Sequence, residues 1–197
     1  MGAFPFQNFT YDARSAALGE AGIAISPDAN SGLMNPAKLA FFNASKDSIK
    51  KEKTFGRHSA GISLHYTPYY RNLIQGMNLY ALNTFKVKNN HAFGLTAKYF
   101  DAGTVEIRND KGVFQRNFPS KEFSIGGFYA KRLKHHNSFS IGLKYIHSDL
   151  SATIKPVNAI AYDLYFFHNG GNEKKRWLNY GASLTNIGGK ISYGDFK

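Results

Sequence analysis

From Ser59 onward, apolar and polar residues alternate for roughly 9–11 positions at a time and then reach a turn, the length of a tilted strand crossing a bilayer. Seven such segments follow one another. The first, Ser59 to Thr67, puts Ala60, Ile62, Leu64 and Tyr66 on one face and Ser59, Gly61, Ser63, His65 and Thr67 on the other. A helix does not sort residues this way. In the second, Gly76 to Lys88, Met77, Leu79, Ala81, Phe85 and Val87 align, with a single break at Asn83. The third, His91 to Phe100, sets Phe93, Leu95, Ala97 and Tyr99 against Ala92, Gly94, Thr96 and Lys98. The fourth and fifth, Glu122 to Arg132 and Ser138 to Ser148, carry the rows Phe123, Ile125, Tyr129 and Phe139, Ile141, Leu143, Tyr145. The sixth, Val157 to Phe167, is apolar on both faces apart from Asp163, and the seventh, Leu178 to Ile187, aligns Leu178, Tyr180, Ala182 and Leu184.

The connections alternate in length. Compact turns fall at Lys88 to His91, rich in asparagine that tolerates left-handed backbone, and at Leu133 to Asn137. Longer links run over Pro68 to Gln75, Asp101 to Lys121 and Asp149 to Pro156. Short connections on one side and long ones on the other are the rule for membrane barrels. The link Asp101 to Lys121 holds its own hairpin signal, Thr104 to Arg108 and Val113 to Phe118 around Asn109-Asp110-Lys111-Gly112, and is expected to stand above the membrane. The fold class is therefore all-β, an antiparallel transmembrane barrel. An odd number of strands does not close an up-and-down bacterial barrel, so the chain is expected to be an N-terminal fragment covering about half of one.

Asp12 to Phe42 differs in kind: small residues, Gly19 and Gly22 bracketing Glu20-Ala21, and an Asn35-Pro36-Ala37 step at which the chain is expected to bend. Residues 1–58 are read as one segment ending in a lysine-rich stretch, and 59–197 as the first strands of the wall.

Composition sharpens this picture. No run approaches the ~20 apolar residues of a membrane helix. The mean hydropathy of -0.37 does not exclude a membrane barrel, because in a strand wall only alternate residues meet lipid. The 17 Phe and 12 Tyr fit bands of rings at a membrane interface. With no cysteine, thiol nucleophiles and disulfides are absent. Met1 to Phe9 is too short and too broken to be a secretory leader, so one is expected to have been removed or to lie outside this sequence. The net charge of +12 raises a nucleic-acid hypothesis, but the positive charges concentrate in turns at strand ends, where lipid head groups or water receive them. No nucleic-acid partner is expected.

Candidate chemistry is sparse. His135, His136, His91 and His147 lack carboxylate or cysteine companions at ligand spacing, so no metal or other cofactor is expected. No Gly-x-Ser-x-Gly elbow precedes a helix, and Gly19-Glu20-Ala21-Gly22 lacks the context of a dinucleotide site, so no catalytic residue is assigned and no enzyme is expected. Tyr69, Tyr70, Arg71 and Asn72, placed in the first long loop, combine amphipathic rings with a fork-like donor and suit either a protein interface or an interfacial girdle. Asp163 is expected to face the lumen or the N-terminal segment, near Arg14.

The runs ARSAALGEAGIAISPDANS and NPAKLAF, then YTPYYRNL, LKYIHSDL, KPVNAIAYDL and LTNIGGKISY, resemble in order the PorV family, outer-membrane proteins of the type IX secretion system of Bacteroidota. That family is in turn similar to FadL-like barrels, whose N-terminal hatch enters the lumen. The resemblance implies a hatch built on Arg14, Gly19, Glu20, Gly22, Asn35, Pro36 and Ala37, and an outer-membrane location. It also implies a shuttle that takes secreted cargo by its C-terminal signal domain from the SprA translocon to the PorU sortase; the loops expected to recognise such cargo are Tyr69 to Asn72 and the Asp101 to Lys121 hairpin. The alternative it leaves is a FadL-like channel for hydrophobic small molecules. The lysine-rich stretch Asn43 to His58 departs from the family pattern.

Overall fold

The structure, a computed structural model, describes residues 4–42, 58–69, 77–133, 136–150, 155–170 and 178–189. Seven antiparallel strands lie side by side in chain order: β1 His58–Tyr69, β2 Met77–Lys88, β3 His91–Arg108, β4 Phe114–Arg132, β5 Asn137–Asp149, β6 Val157–His168 and β7 Tyr180–Gly188. Every strand pairs antiparallel with the next one in the chain. Among the described residues the sheet does not close, and β1 and β7 are each paired on one side only. No helix among them is long and apolar enough to cross a membrane.

The strands follow the alternation closely, with two corrections. Pro68 and Tyr69 pair with Asn78 and Met77, so Tyr69 is a strand residue and not part of the first loop. The hairpin expected within Asp101 to Lys121 is no separate element. β3 and β4, of 18 and 19 residues, run on past their outer neighbours as one ribbon, bulged at Asp101/Gly103 where Gly103 takes φ 81. The tight turn after β2 has Asn89 at φ 55, the left-handed conformation asparagine tolerates.

The N-terminal segment covers one face of the sheet with short helical pieces: a 3-10 turn at Pro5–Asn8, α1 Ala13–Ala17, a 3-10 turn at Ala21–Ile23, α2 Ser31–Met34 and a 3-10 stretch at Pro36–Phe41. Phe4, Phe6, Tyr11 and Leu33 pack on Leu79, Ala81, Phe100, Ile146 and Ala161 towards the end with the long connections. Leu39 packs on Phe85, Val87, Ala92, Phe128 and Ala130 towards the short turns, and Ala37 with Phe41 packs on Phe167. Each fully buried large side chain such as Phe6 or Leu39 contributes about 1.5–3 kcal/mol.

The opposite face is apolar and uncovered. Ile62, Leu64, Leu95, Ile125, Ile141, Leu143, Ile160 and Leu184 are exposed, Leu64 by 75% and Leu184 by 62%. Towards the long connections this face ends in rings, Tyr66 stacked on Tyr80 and Tyr80 beside Tyr99, with the Tyr66 hydroxyl donating to Asn78 at 3.0 Å. β2 is the exception to the outward apolar row. Its Leu79, Ala81, Phe85 and Val87 turn inwards to receive the N-terminal segment.

Candidate functional site

The Asn-Pro-Ala step is a joint. Pro36 pushes Asn35 out of helical backbone, to φ -151 and ψ 91, so α2 stops there and a new 3-10 turn starts with proline in its first position. The Asn35 side chain, fully buried, works in both directions. Its Oδ1 accepts from the Ala37 N–H at 3.1 Å, capping that turn. Its Nδ2 donates to the Ile23 carbonyl at 2.9 Å and to the Phe166 carbonyl of β6 at 3.1 Å. The Ala37 carbonyl accepts from Ser138 Oγ of β5 at 2.7 Å. The chain bends at Asn35 as expected and is fastened to two strands where it bends.

Gly19 and Glu20 are consecutive left-handed residues, φ 64 and 67, and reverse the chain after α1. Gly22 has no room for a side chain: a Cβ there would meet Ser15 Oγ and lie 3.1 Å from Met34 Cε. Its carbonyl accepts from Lys38 Nζ at 2.6 Å. Arg14 pairs with Asp28 at 2.6 Å and also donates to the Ser26 carbonyl and hydroxyl. The pair is partly exposed and contributes little, about 0–1 kcal/mol. The expected pairing of Arg14 with Asp163 is therefore wrong. Asp163 lies on the covered face, but its partner is Lys144 at 2.9 Å on the adjacent strand. Asp163 also accepts from the Asn186 N–H at 2.8 Å, where β7 bulges and Asn186 takes φ 61.

Several fastening residues carried no recognised motif. Asp12 caps α1, accepting from the N–H groups of Arg14 and Ser15, from Ser15 Oγ at 2.6 Å and from Asn30 Nδ2 at 2.7 Å. Burial acts to raise its pKa, and these four donors outweigh it and hold the carboxyl below its ordinary value. Asn30 Oδ1 in turn lies 3.1 Å from His65 Nε2 of β1. Asn83, the break in the apolar row of β2, is fully buried and donates to the Ala29 carbonyl at 2.6 Å. Gly32 is packed so tightly on Asn83 that a Cβ there would meet its amide. Lys98 donates to the Gln7 carbonyl at 3.2 Å and lies 5.0 Å from the Tyr11 ring centroid. Lys38 is almost wholly buried, and desolvation lowers its pKa to about 8. The available signal was a polar residue in an apolar row, as at Asn83.

Tyr70, Arg71 and Asn72 lie outside the described residues. His135 lies outside the described residues, and His91, His136 and His147 do not converge: His91 Nδ1 is 2.6 Å from the Tyr129 hydroxyl, His136 Nδ1 is 2.8 Å from the Asn169 carbonyl and His147 Nδ1 is 2.7 Å from Asn158 Oδ1. Among the described residues no three His, Asp or Glu side chains gather as a metal site would require. What the covered face does is hold a segment: side chains of β1, β2, β3 and β5 donate to, or lie within hydrogen-bond reach of, groups of that segment, while the Phe166 carbonyl of β6 accepts from it.

The family model for the type IX secretion system protein PorV matches residues 1–197, the entire sequence. No curated protein matched it. The chain belongs to the PorV family of type IX secretion system proteins.

Proposed function

We propose that this chain works as an outer-membrane shuttle of the type IX secretion system. Its strands form the lipid-facing wall, residues 1–58 form the hatch, and cargo is received by its C-terminal signal domain between the SprA translocon and the PorU sortase. Family membership supports the secretion role. The observation that carries the membrane reading is the split between the two faces of the sheet. One is covered and rich in polar fastenings, the other a continuous exposed apolar surface far larger than a water-facing protein keeps.

A shuttle needs no nucleophile, only a rigid wall and an exposed element that recognises protein. We assign this role to two elements: the stretch from Tyr69, the last residue of β1, to Asn72, on the residue types its sequence offers, and the β3–β4 ribbon, where Val105, Val113 and Phe114 are exposed. The test is capture of a cargo signal domain by the full-length protein in detergent. Replacing Tyr69, Tyr70 and Arg71 together by alanine, or shortening the ribbon, is expected to weaken capture while heat-modifiable migration of the barrel persists. Unchanged capture by both variants contradicts the docking assignment. Uptake of a long-chain hydrophobic solute into vesicles, without cargo capture, moves the function to a channel.

A further inference from the structure

Among the described residues, charge is unevenly distributed between the two ends of the strands. At the end with the long connections, Arg108, Lys111, Arg116 and Lys121 alternate with Asp101, Glu106, Asp110 and Asp149. At the other end, Lys86, Lys88, Lys131 and Arg132 stand in the described stretches 84–93, 127–133, 136–140, 164–170 and 178–184, which contain no Asp or Glu. Lys86, Lys88 and Lys131 are exposed, and Arg132 lies over the Phe41 ring at 4.6 Å.

These lysines are not on a water-facing surface apart from the apolar one. Lys131 is paired in register with Phe139 on one side and His91 on the other, and Lys86 with Phe93, so cations and exposed rings share a face. On that face a groove of ≈ 530 Å³ runs among Phe139, Ile141, Phe166, Ala182 and Leu184, and Lys131 is the charged residue of its lining. Its size falls within the ~300–1,000 Å³ of small-molecule sites. Ala182, opposite Phe166 in the register, supplies the small side chain where its neighbours Tyr180 and Leu184 are large.

We propose that this groove is a binding site for an anionic phospholipid of the leaflet at the short-turn end, with its phosphate at Lys131, attracted by Lys86 and Lys88, and an acyl chain against Phe139, Phe166 and Ala182. A soluble acidic protein does not fit, because the cations are interleaved with rings that need an apolar partner. The proposal rests on the membrane reading above. The site gives the wall a lipid preference at one leaflet, and so fixes its depth and orientation.

The test is native mass spectrometry of the full-length protein released from bilayers holding equal phosphatidylglycerol and phosphatidylcholine. Retained phosphatidylglycerol is expected, with affinity falling about fivefold for each lysine changed in Lys86→Gln, Lys88→Gln and Lys131→Gln. Ala182→Phe, which fills the groove and leaves the charges, is expected to remove the tightly held copy. Equal retention of both lipids, or unchanged phosphatidylglycerol retention in the triple variant, overturns the site while leaving the membrane reading intact. Failure to enter either bilayer overturns both.

Discussion

The amide of Asn35 donates to the backbone carbonyl of Phe166 at 3.1 Å, joining residues 131 apart in the chain. The same side chain caps the following turn, so one residue sets both the local bend and the long-range contact. Asn35→Ala removes the cap and leaves buried carbonyls unmatched. A loss of about 2–4 kcal/mol in the docking of the N-terminal segment is expected, and Asn35→Asp, which sets an oxygen against the Ile23 and Phe166 carbonyls, is expected to be no better. Hydrogen exchange over residues 13–42 reads this. Protection equal to that of the unmodified protein contradicts the joint.

Lys38 gives the segment a pH dependence of defined sign. Its folded pKa, about 8, lies below the ordinary lysine value of 10.5 because burial penalises the charge. Between those values the undocked state binds more protons than the docked one, so docking strengthens as pH rises from about 8 to 10.5. Below about 8 both states are protonated and the dependence flattens. Measuring exchange protection across this interval checks it, and Lys38→Met is expected to reduce the slope. A slope unchanged in Lys38→Met excludes the buried lysine as a source of it.

Asp163 and Lys144 form a pair 2.9 Å apart with little solvent access. Asp163→Ala leaves the ammonium buried without its counter-charge and removes the acceptor for the Asn186 N–H at the β7 bulge. The expected cost is about 3–5 kcal/mol in urea unfolding of the full-length protein from detergent, with Lys144→Met in the same chain recovering part of it. A double variant no better than the single one contradicts the pairing.

The strands were legible because period-two alternation survives whichever face is buried. Ile141, Leu143 and Tyr145 mark β5 without reference to anything they touch. The side each row faces was not legible, because both faces of this sheet carry apolar residues. Leu79, Phe85 and Val87 look like Leu64 or Leu143 in sequence, yet they meet the N-terminal segment while the others lie bare. The same limit explains Asp163: charge sign placed it opposite some cation, but only the register β5–β6 brings Lys144 to it and leaves Arg14 with Asp28. The bend was visible as Asn35-Pro36-Ala37, whereas Asp12, Lys38 and Lys98 act through backbone carbonyls and N–H groups, which leave no mark of the partner in the sequence.

The membrane wall itself is tested most directly along β5, in a 197-residue sequence that contains no cysteine. Single cysteines at positions 141 to 146, labelled with a fluorophore in reconstituted bilayers, are exposed to a quencher confined to the acyl region. Strong quenching is predicted at Ile141, Leu143 and Tyr145, and weak quenching at Gly142, Lys144 and Ile146, which lie on the covered face. Uniform quenching, or alternation in the opposite phase, contradicts the account.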